Sequence, residues 1–261
     1  MHTKKQILDL QVIKHTSLNN HHVVLTCTSE KKLPKLLAGQ FAEISAGDTA
    51  GTFLRRPFSI HDYNMEMNTV SFLIQIKGNG SASIGSLQPG ESMNVILPLG
   101  NSFCMPAEGE KVLLTGGGCG VAPLLLLAKS VIAAGASCDI LIGARDEENL
   151  METEELSELG TLFTTTEDGS EGIKGFVTDH PVMQELKEKY SKVYSCGPDP
   201  MMKAVATIAE ESGVDCEVSL ENTMACGIGA CLCCVTETTE GHKCVCTDGP
   251  VFNSKTLQWH N

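Results

Sequence analysis

Apolar positions fall into two textures along the chain. In the first hundred residues they come as short runs rich in β-branched residues: "HHVVLTCT", "GQFAEISA", "TVSFLIQIK" and "MNVILPLG". Turn signals such as "AGDTAG", "KGNGSASIG" and "QPGE" stand between them. Several short strands with this punctuation predict a small antiparallel β-barrel. The texture changes near "CMPAEGEK", which reads as a linker. From Lys111 strands and helices alternate. "KVLLTGGG" is a buried strand ending in glycines, and "VAPLLLLAKSVIAAG" is a helix closed by Gly135. "CDILIGAR" is the next strand, and "KVYSCGPDP" leads into a helix that starts near Met201. Such alternation predicts an open parallel sheet. The expected organisation is β plus α/β: a barrel over 1–104, a parallel sheet over 105–215 and a small cysteine-rich segment over 216–261.

Composition narrows the setting. The opening "MHTKKQILDL" lacks the apolar core of a signal peptide. The greasiest stretch, "VAPLLLLAKSVIAAGA", is broken by Pro123 and Lys129 and is too short to cross a bilayer. A cytoplasmic protein is therefore expected, in which thiols stay reduced and dense cysteines usually hold metal. Charge is 19 basic against 32 acidic residues, a net −13, which argues against nucleic acid or an anionic membrane as partner. No Gly-x-Ser-x-Gly, His-Glu-x-x-His or Walker loop points to hydrolysis.

Six of the twelve cysteines lie between Cys226 and Cys246. Their spacing is Cys226-x4-Cys231-x2-Cys234, then eleven residues to Cys246. That order is the plant-type ferredoxin arrangement for a 2Fe–2S cluster. Four thiolates must reach two irons, and the "GIG" between the first two ligands offers bare backbone N–H groups to the sulfurs. Cys233 and Cys244 are left over, each beside a proposed ligand. A four-cysteine zinc site using Cys244, with His242 nearby, stays open on spacing alone, as do free thiols.

Two further regions carry chemistry. In "LRRPFSI", an arginine at the mouth of a β-barrel suits a diphosphate, since its fork pairs with phosphate oxygens, and a surface arginine pair on an ordinary edge strand stays open on this motif alone. Ser59 is then in reach of the polar edge of a flavin ring and Phe58 of an apolar face. "GNGS", Gly78 to Ser81, offers a phosphate nest or else a plain hairpin turn. In "LLTGGGCGVAP", glycines meet a helix start as Gly118-x-Gly120-x-x-Pro123, where amides favour a pyrophosphate. "SCGPDPMM" repeats the arrangement with Cys196, Gly197 and Pro198. Cys196 is either close to the reacting carbons or a small buried hydrophobe. After "CDILIGAR", Arg145 favours NADP and the acidic residues that follow favour NAD. The balance leans to NAD.

Barrel followed by nucleotide sheet resembles the ferredoxin–NADP reductase superfamily, on "RPFS", "GGGCGVAP" and "CGPDPM". "ENTMACGIGACLCCV" and "CVCTDGPVF" resemble, within it, the electron-transfer subunits of dihydroorotate dehydrogenase B. The resemblance covers nearly the whole chain. It implies an antiparallel flavin-binding β-barrel, then an open parallel nucleotide-binding sheet, then a small C-terminal iron–sulfur domain. It implies cluster ligands Cys226, Cys231, Cys234 and Cys246, the last preferred over Cys244 because it directly precedes "TDGPVF". It implies FAD lined by Arg56, Pro57, Phe58, Ser59, Leu73, Ile74, Gln75, Gly80 and Ser81, and NAD beside Gly118, Gly120, Pro123, Cys196, Gly197 and Pro198. The pattern is departed from at Gln75 (Arg expected), Ser81 (Thr expected) and Leu97 (Gly expected). The function implied is transfer of electrons from the FMN of a dihydroorotate-oxidising catalytic subunit, through the 2Fe–2S cluster and FAD, to NAD+, in a heterotetramer of two such chains and two catalytic chains. A stand-alone iron–sulfur flavin reductase for ferredoxin, sulfide or an oxygenase is the rival enzyme reading. A redox or zinc sensor is the non-enzyme one.

Overall fold

The computed structural model of the chain describes residues 4–47 and 52–259. The turn expected at residues 46–51 therefore lies mostly outside the described residues. The first unit is one antiparallel sheet of seven strands: β1 (Gln6–Asn19), β2 (His22–Thr28), β3 (Phe41–Ile44), β4 (Arg56–Ser59), β5 (Asp62–Asn64), β6 (Thr69–Gln75) and β7 (Ser92–Leu99). Their order is β4-β3-β7-β1-β2-β6-β5, curled into a half-barrel around Leu10, Leu25, Phe72 and Val95. Alternation holds the curl: Leu8, Leu10 and Val12 are buried while Ile7, Asp9 and Gln11 face outward.

The segment "KGNGSASIG" is not only a turn, as the pattern predicts. It forms a short helix, α1 (Asn79–Gly85), that packs on β6 and β2. Ser81 makes the difference, because its hydroxyl accepts the backbone N–H groups of Lys77 (2.9 Å) and Gly78 (3.1 Å) and closes the first turn.

The second unit is a seven-stranded sheet. Its strands are β8 (Lys111–Gly117), β9 (Ser137–Ala144), β10 (Thr161–Thr166), β11 (Ile173–Lys174), β12 (Lys192–Cys196), β13 (Asp215–Ser219) and the later β16 (Val251–Asn253), in the order β11-β10-β9-β8-β12-β13-β16. All pairs are parallel except β13 with β16. The helices are α2 (Leu124–Ala133), α3 (Thr153–Ser157), α4 (Leu186–Lys189) and α5 (Asp199–Glu211). α2 ends before Gly135, which takes φ +80°. α5 begins two residues earlier than expected, with Pro200 in its first turn.

A boundary at 215 falls on the first residue of β13, which is hydrogen-bonded along β12. The nucleotide sheet thus continues through Ser219 and takes in β16 from beyond the cysteine loop. Between them stand a hairpin, β14 (Val235–Thr238) and β15 (Gly241–Cys244), and the turn α6 (Val245–Asp248). Asn101, just after β7, clamps this segment: its side chain donates to Asp248 O (2.9 Å) and Val251 O (2.8 Å) and accepts from the Val251 N–H (3.0 Å). Among the described residues no helix is long and apolar enough to cross a membrane.

Candidate functional site

β4 is half-buried along its length and pairs with β3 in the register Phe41↔Ser59, Ala42↔Phe58, Glu43↔Pro57 and Ile44↔Arg56. Its free side faces a cavity of about 890 Å³. Eight of the nine residues expected for flavin line that cavity: Arg56, Pro57, Phe58, Ser59, Leu73, Gln75, Gly80 and Ser81. Ile74 is fully buried, because alternation along β6 turns it into the barrel core. Arg56 is held in place by bonds from its Nη1 to Leu54 O (2.6 Å) and Arg55 O (3.2 Å). Its guanidinium lies across the start of α1, where a Cβ on Gly80 would come within 2.9 Å of Arg56 Nε. A cation fixed beside bare backbone is suited to a diphosphate.

A second cavity, of about 930 Å³, opens at the carboxyl ends of β8, β9 and β12. Gly118, Gly120 and Pro198 line it, with Arg145, Asp146 and Phe176. The other residues expected for the nucleotide do not line it: Pro123 caps α2, and Cys196 and Gly197 pack against the backbone of Gly120 and Gly117. The two turns interlock: a Cβ on Gly120 would sit 2.2 Å from Cys196 O, a backbone atom that cannot move aside. Gly120 is therefore required for β8 and β12 to end side by side. The Asp146 carboxylate accepts from the Asn149 N–H (3.0 Å) and Nδ2 (2.7 Å), which fixes it at the cavity rim.

The two cavities share Gln75, Lys77, Cys119 and Glu221. Only Gln75 of these stands out in the sequence. Cys119 is hidden in a glycine run, and Glu221 opens "ENTMACG" without a partner nearby in the chain. Burial pushes the Cys119 thiol up to about 12 and Cys196 well above its usual value, so both stay protonated. Cys196 Sγ lies 3.8 Å from Glu221 Oε1. Solvent reaches Glu221 from the open side of the cleft, yet the surrounding protein still raises its carboxyl.

From Glu221 the chain runs along the flavin cavity, through Asn222, Thr223 and Met224, into the cysteine loop. There the thiols act on one another in two pairs, Cys231 on Cys226 and Cys234 on Cys246. Backbone amides converge on the same sulfurs. Cys226 Sγ accepts from Ala230 N–H (3.3 Å) and Cys231 N–H (3.4 Å), Cys246 Sγ from Gly229 N–H (3.2 Å), and Cys234 Sγ from Cys246 N–H (3.4 Å). The amide of Ile228 leads the group that draws Cys226 down to about 6, in favour of a thiolate. Burial, with Cys234 alongside, holds Cys246 up at about 12; a bound cation reverses that preference. Leu232, exposed within the loop, is held at φ +58°, a strained conformation of the kind found at functional sites. Cys233 is exposed, and Cys244 is half-buried with its N–H given to Asp248 Oδ2 (2.8 Å). His242 is exposed on β15. Among the described residues, no three His, Cys, Asp or Glu side chains converge on one ion position. Thiols with backbone amides turned to their sulfurs fit an iron–sulfur cluster, whose sulfurs take such bonds.

The profile of the iron–sulfur cluster binding domain of dihydroorotate dehydrogenase B matches residues 221–258, and that of the oxidoreductase NAD-binding domain matches 114–207. The chain is 42% identical over 248 residues to the dihydroorotate dehydrogenase B (NAD(+)) electron transfer subunit of Caldanaerobacter subterraneus subsp. tengcongensis, covering 92% of this chain and 96% of that one. It is 34% identical to the protein of the same name from Desulforamulus reducens, covering 85% and 86%. Among solved structures, a chain of the NADH-dependent reduced ferredoxin-NADP oxidoreductase superposes with a TM-score of 0.85 at 28% identity, covering 96% of this chain and 90% of that one. Phthalate dioxygenase reductase shares the fold, with a TM-score of 0.67 at 19% identity over 89% and 87%. The chain belongs to the family of dihydroorotate dehydrogenase B electron transfer subunits.

Proposed function

We propose that this chain carries electrons from a catalytic partner subunit to NAD+, as the electron-transfer subunit of a dihydroorotate dehydrogenase in pyrimidine synthesis. The partner bears FMN and oxidises dihydroorotate to orotate. Two chains of each kind form the working assembly, in the cytoplasm. Its relatives' name supports the reading. The observation that carries it is the path of the segment Ser219–Met224, which lines the flavin cavity and two residues later becomes the cluster loop at Cys226.

The cluster ligands are Cys226, Cys231, Cys234 and Cys246, three of whose sulfurs accept backbone amides of the loop. Bound in these sites, the cluster supplies one-electron transfer and the flavin supplies the change from single electrons to a hydride. The rest is positioning by the chain. Arg56 holds the FAD diphosphate, with Gly80 and Ser81 at the start of α1. Phe58, Ser59, Leu73 and Gln75 flank the ring, and Gln75 replaces the expected Arg with a neutral donor. Gly118, Gly120 and Pro198 admit the NAD backbone, while Asp146 at the rim favours the unphosphorylated ribose. Gln75, Lys77, Cys119 and Glu221 surround the point where the two cavities meet, and they would hold the flavin and nicotinamide ends in reach of each other. No side chain of this site needs to abstract a proton from dihydroorotate, since that task belongs to the partner. The units are a flavin barrel over 1–104, an NAD domain that continues past 215 through Ser219, and a cluster segment.

The test is anaerobic recovery of the tagged chain from its native cell. An FMN protein is expected to come with it, and dihydroorotate is expected to yield NADH. A chain recovered alone, with FAD and iron yet inert to dihydroorotate, would point to a reductase for another acceptor.

A further inference from the structure

We propose that Glu43 is a positioning residue of the cluster, a buried carboxylate behind the cysteine loop whose charge sets the cluster's reduction potential. The inference rests on the cluster assignment made above. Glu43 lies in β3, between Pro57 of β4 and Ile96 of β7. It is 0% exposed, and among the described residues neither carboxyl oxygen has a hydrogen-bond partner. An unpaired carboxyl in a dry interior is costly, and a chain that retains one generally uses it.

The nearby arginines do not bond to it. Arg55 gives its Nη1 to the backbone carbonyls of Glu43 (3.2 Å) and Asn94 (3.0 Å). Arg56 is turned to Leu54, Arg55 and Gly80. What the carboxyl does abut is the cysteine loop. A Cβ on Gly227 would lie 2.5 Å from Glu43 Cγ and 2.9 Å from Oε1. Gly227 follows Cys226, and the amides of Gly229, Ala230 and Cys231 beyond it are all turned to sulfur. Glu43 therefore stands on the barrel side of the loop, on a strand paired to the flavin-lining β4. Burial holds its carboxyl up at about 7, opposed by Arg55 and Arg56, and Cys226 adds to the rise.

In so dry a place a charge acts strongly on its neighbours. A carboxylate there opposes the extra negative charge of a reduced cluster. It lowers the potential and favours passage of each electron onward to the flavin side. A residue that only filled space would leave the potential unchanged when replaced by a neutral isostere.

The experiment is a dye-mediated redox titration of the purified, cofactor-loaded chain, followed by electron paramagnetic resonance of the reduced cluster, at a pH well above neutral. Glu43→Gln is expected to keep its iron and flavin and to shift the cluster midpoint to a more positive potential. Glu43→Asp, which keeps the charge, is expected to stay nearer the native value. An unchanged midpoint in Glu43→Gln, or an equal shift in Glu43→Asp, overturns the proposal. Should Glu43→Gln lose its iron, Glu43→Met makes the same comparison. Loss of the cluster from both neutral variants overturns the potential-setting role in favour of a structural one. A native chain without an iron–sulfur signal overturns the cluster assignment beneath it.

Discussion

Cys246 and Cys244 lie two residues apart in different surroundings. Cys246 is buried against Cys234 and accepts the Gly229 amide, whereas Cys244 is half-buried at the end of β15. Cys246→Ser is expected to abolish the iron–sulfur absorbance and electron transfer from the partner, while NADH-to-dye activity through FAD survives. Cys244→Ser is expected to keep both. Iron content and the two assays decide, and loss of FAD along with iron in Cys246→Ser would contradict separate centres. Arg56→Ala removes the cation beside Gly80. A charge-assisted bidentate contact is worth roughly 1.5–3 kcal/mol, so FAD affinity is expected to weaken about tenfold to a hundredfold, as read by flavin fluorescence. At this scale the sequence is legible where chemistry is written in spacing. The cysteine order and "RPFS" are such places. Glu43, Lys77, Cys119 and Glu221 are not, because each acquires its role from a neighbour far along the chain: Glu43 from Gly227, and Glu221 from Cys196.

Among the elements, the strands with a buried apolar run match their patterns closely, as "TVSFLIQIK" does with β6 and "CDILIGAR" with β9. β1, the longest strand, is not singled out by the same patterning. Its exposed Ile7 and Ile13 blur the alternation that buries Leu8, Leu10 and Val12. α1 is misread as a turn because its composition, "NGSASIG", is that of a turn, and only the Ser81 cap makes it helical. A polar group inside β9 allows a prediction at this scale. Asp139 is buried and bonded to Lys111 Nζ (2.7 Å) and Tyr190 OH (2.7 Å), so it ties β9 to β8 and to the end of α4. Desolvation pushes its carboxyl up, but the bonds from Lys111 and Tyr190 outweigh it and the net shift is downward. A carboxyl lowered on folding stabilises above its unfolded value and loses that contribution as pH falls through the folded one. Asp139→Asn is expected to cost about 1.5–3 kcal/mol near neutral pH, and the gap from the native chain is expected to close in acid. Urea denaturation across a pH series measures both.

Across the whole molecule, hydride transfer depends on how the barrel and the nucleotide sheet sit together, and one buried contact fixes much of that. His61, just after β4, is 2% exposed. Its Nδ1 is 2.8 Å from Ala122 O, and its Nε2 is 3.2 Å from Glu152 Oε2. The backbone reinforces the link, since Leu126 N–H donates to His61 O (3.1 Å). A carbonyl only accepts, so Nδ1 donates to it, and Nε2 faces the Glu152 carboxyl. His61 joins the barrel to the turn at Ala122 and to Glu152, which is held at φ +62° before α3. Removing one partner strands the other in a dry interior, at about 3–5 kcal/mol. His61→Leu is therefore expected to lower the urea midpoint strongly. Where the chain still folds and keeps its FAD, NADH should reduce the flavin more slowly, because the turn at Ala122 loses its fixed distance from the barrel. Glu152→Gln tests the hydrogen bond. Its amide can donate to a neutral Nε2, so one hydrogen bond survives and the loss in both measurements should be smaller than in His61→Leu. Equal losses in the two variants would mean that the ion pair, and not the hydrogen-bonded geometry, holds the units in register. Stopped-flow flavin reduction, normalised to bound FAD, separates that loss of alignment from simple unfolding.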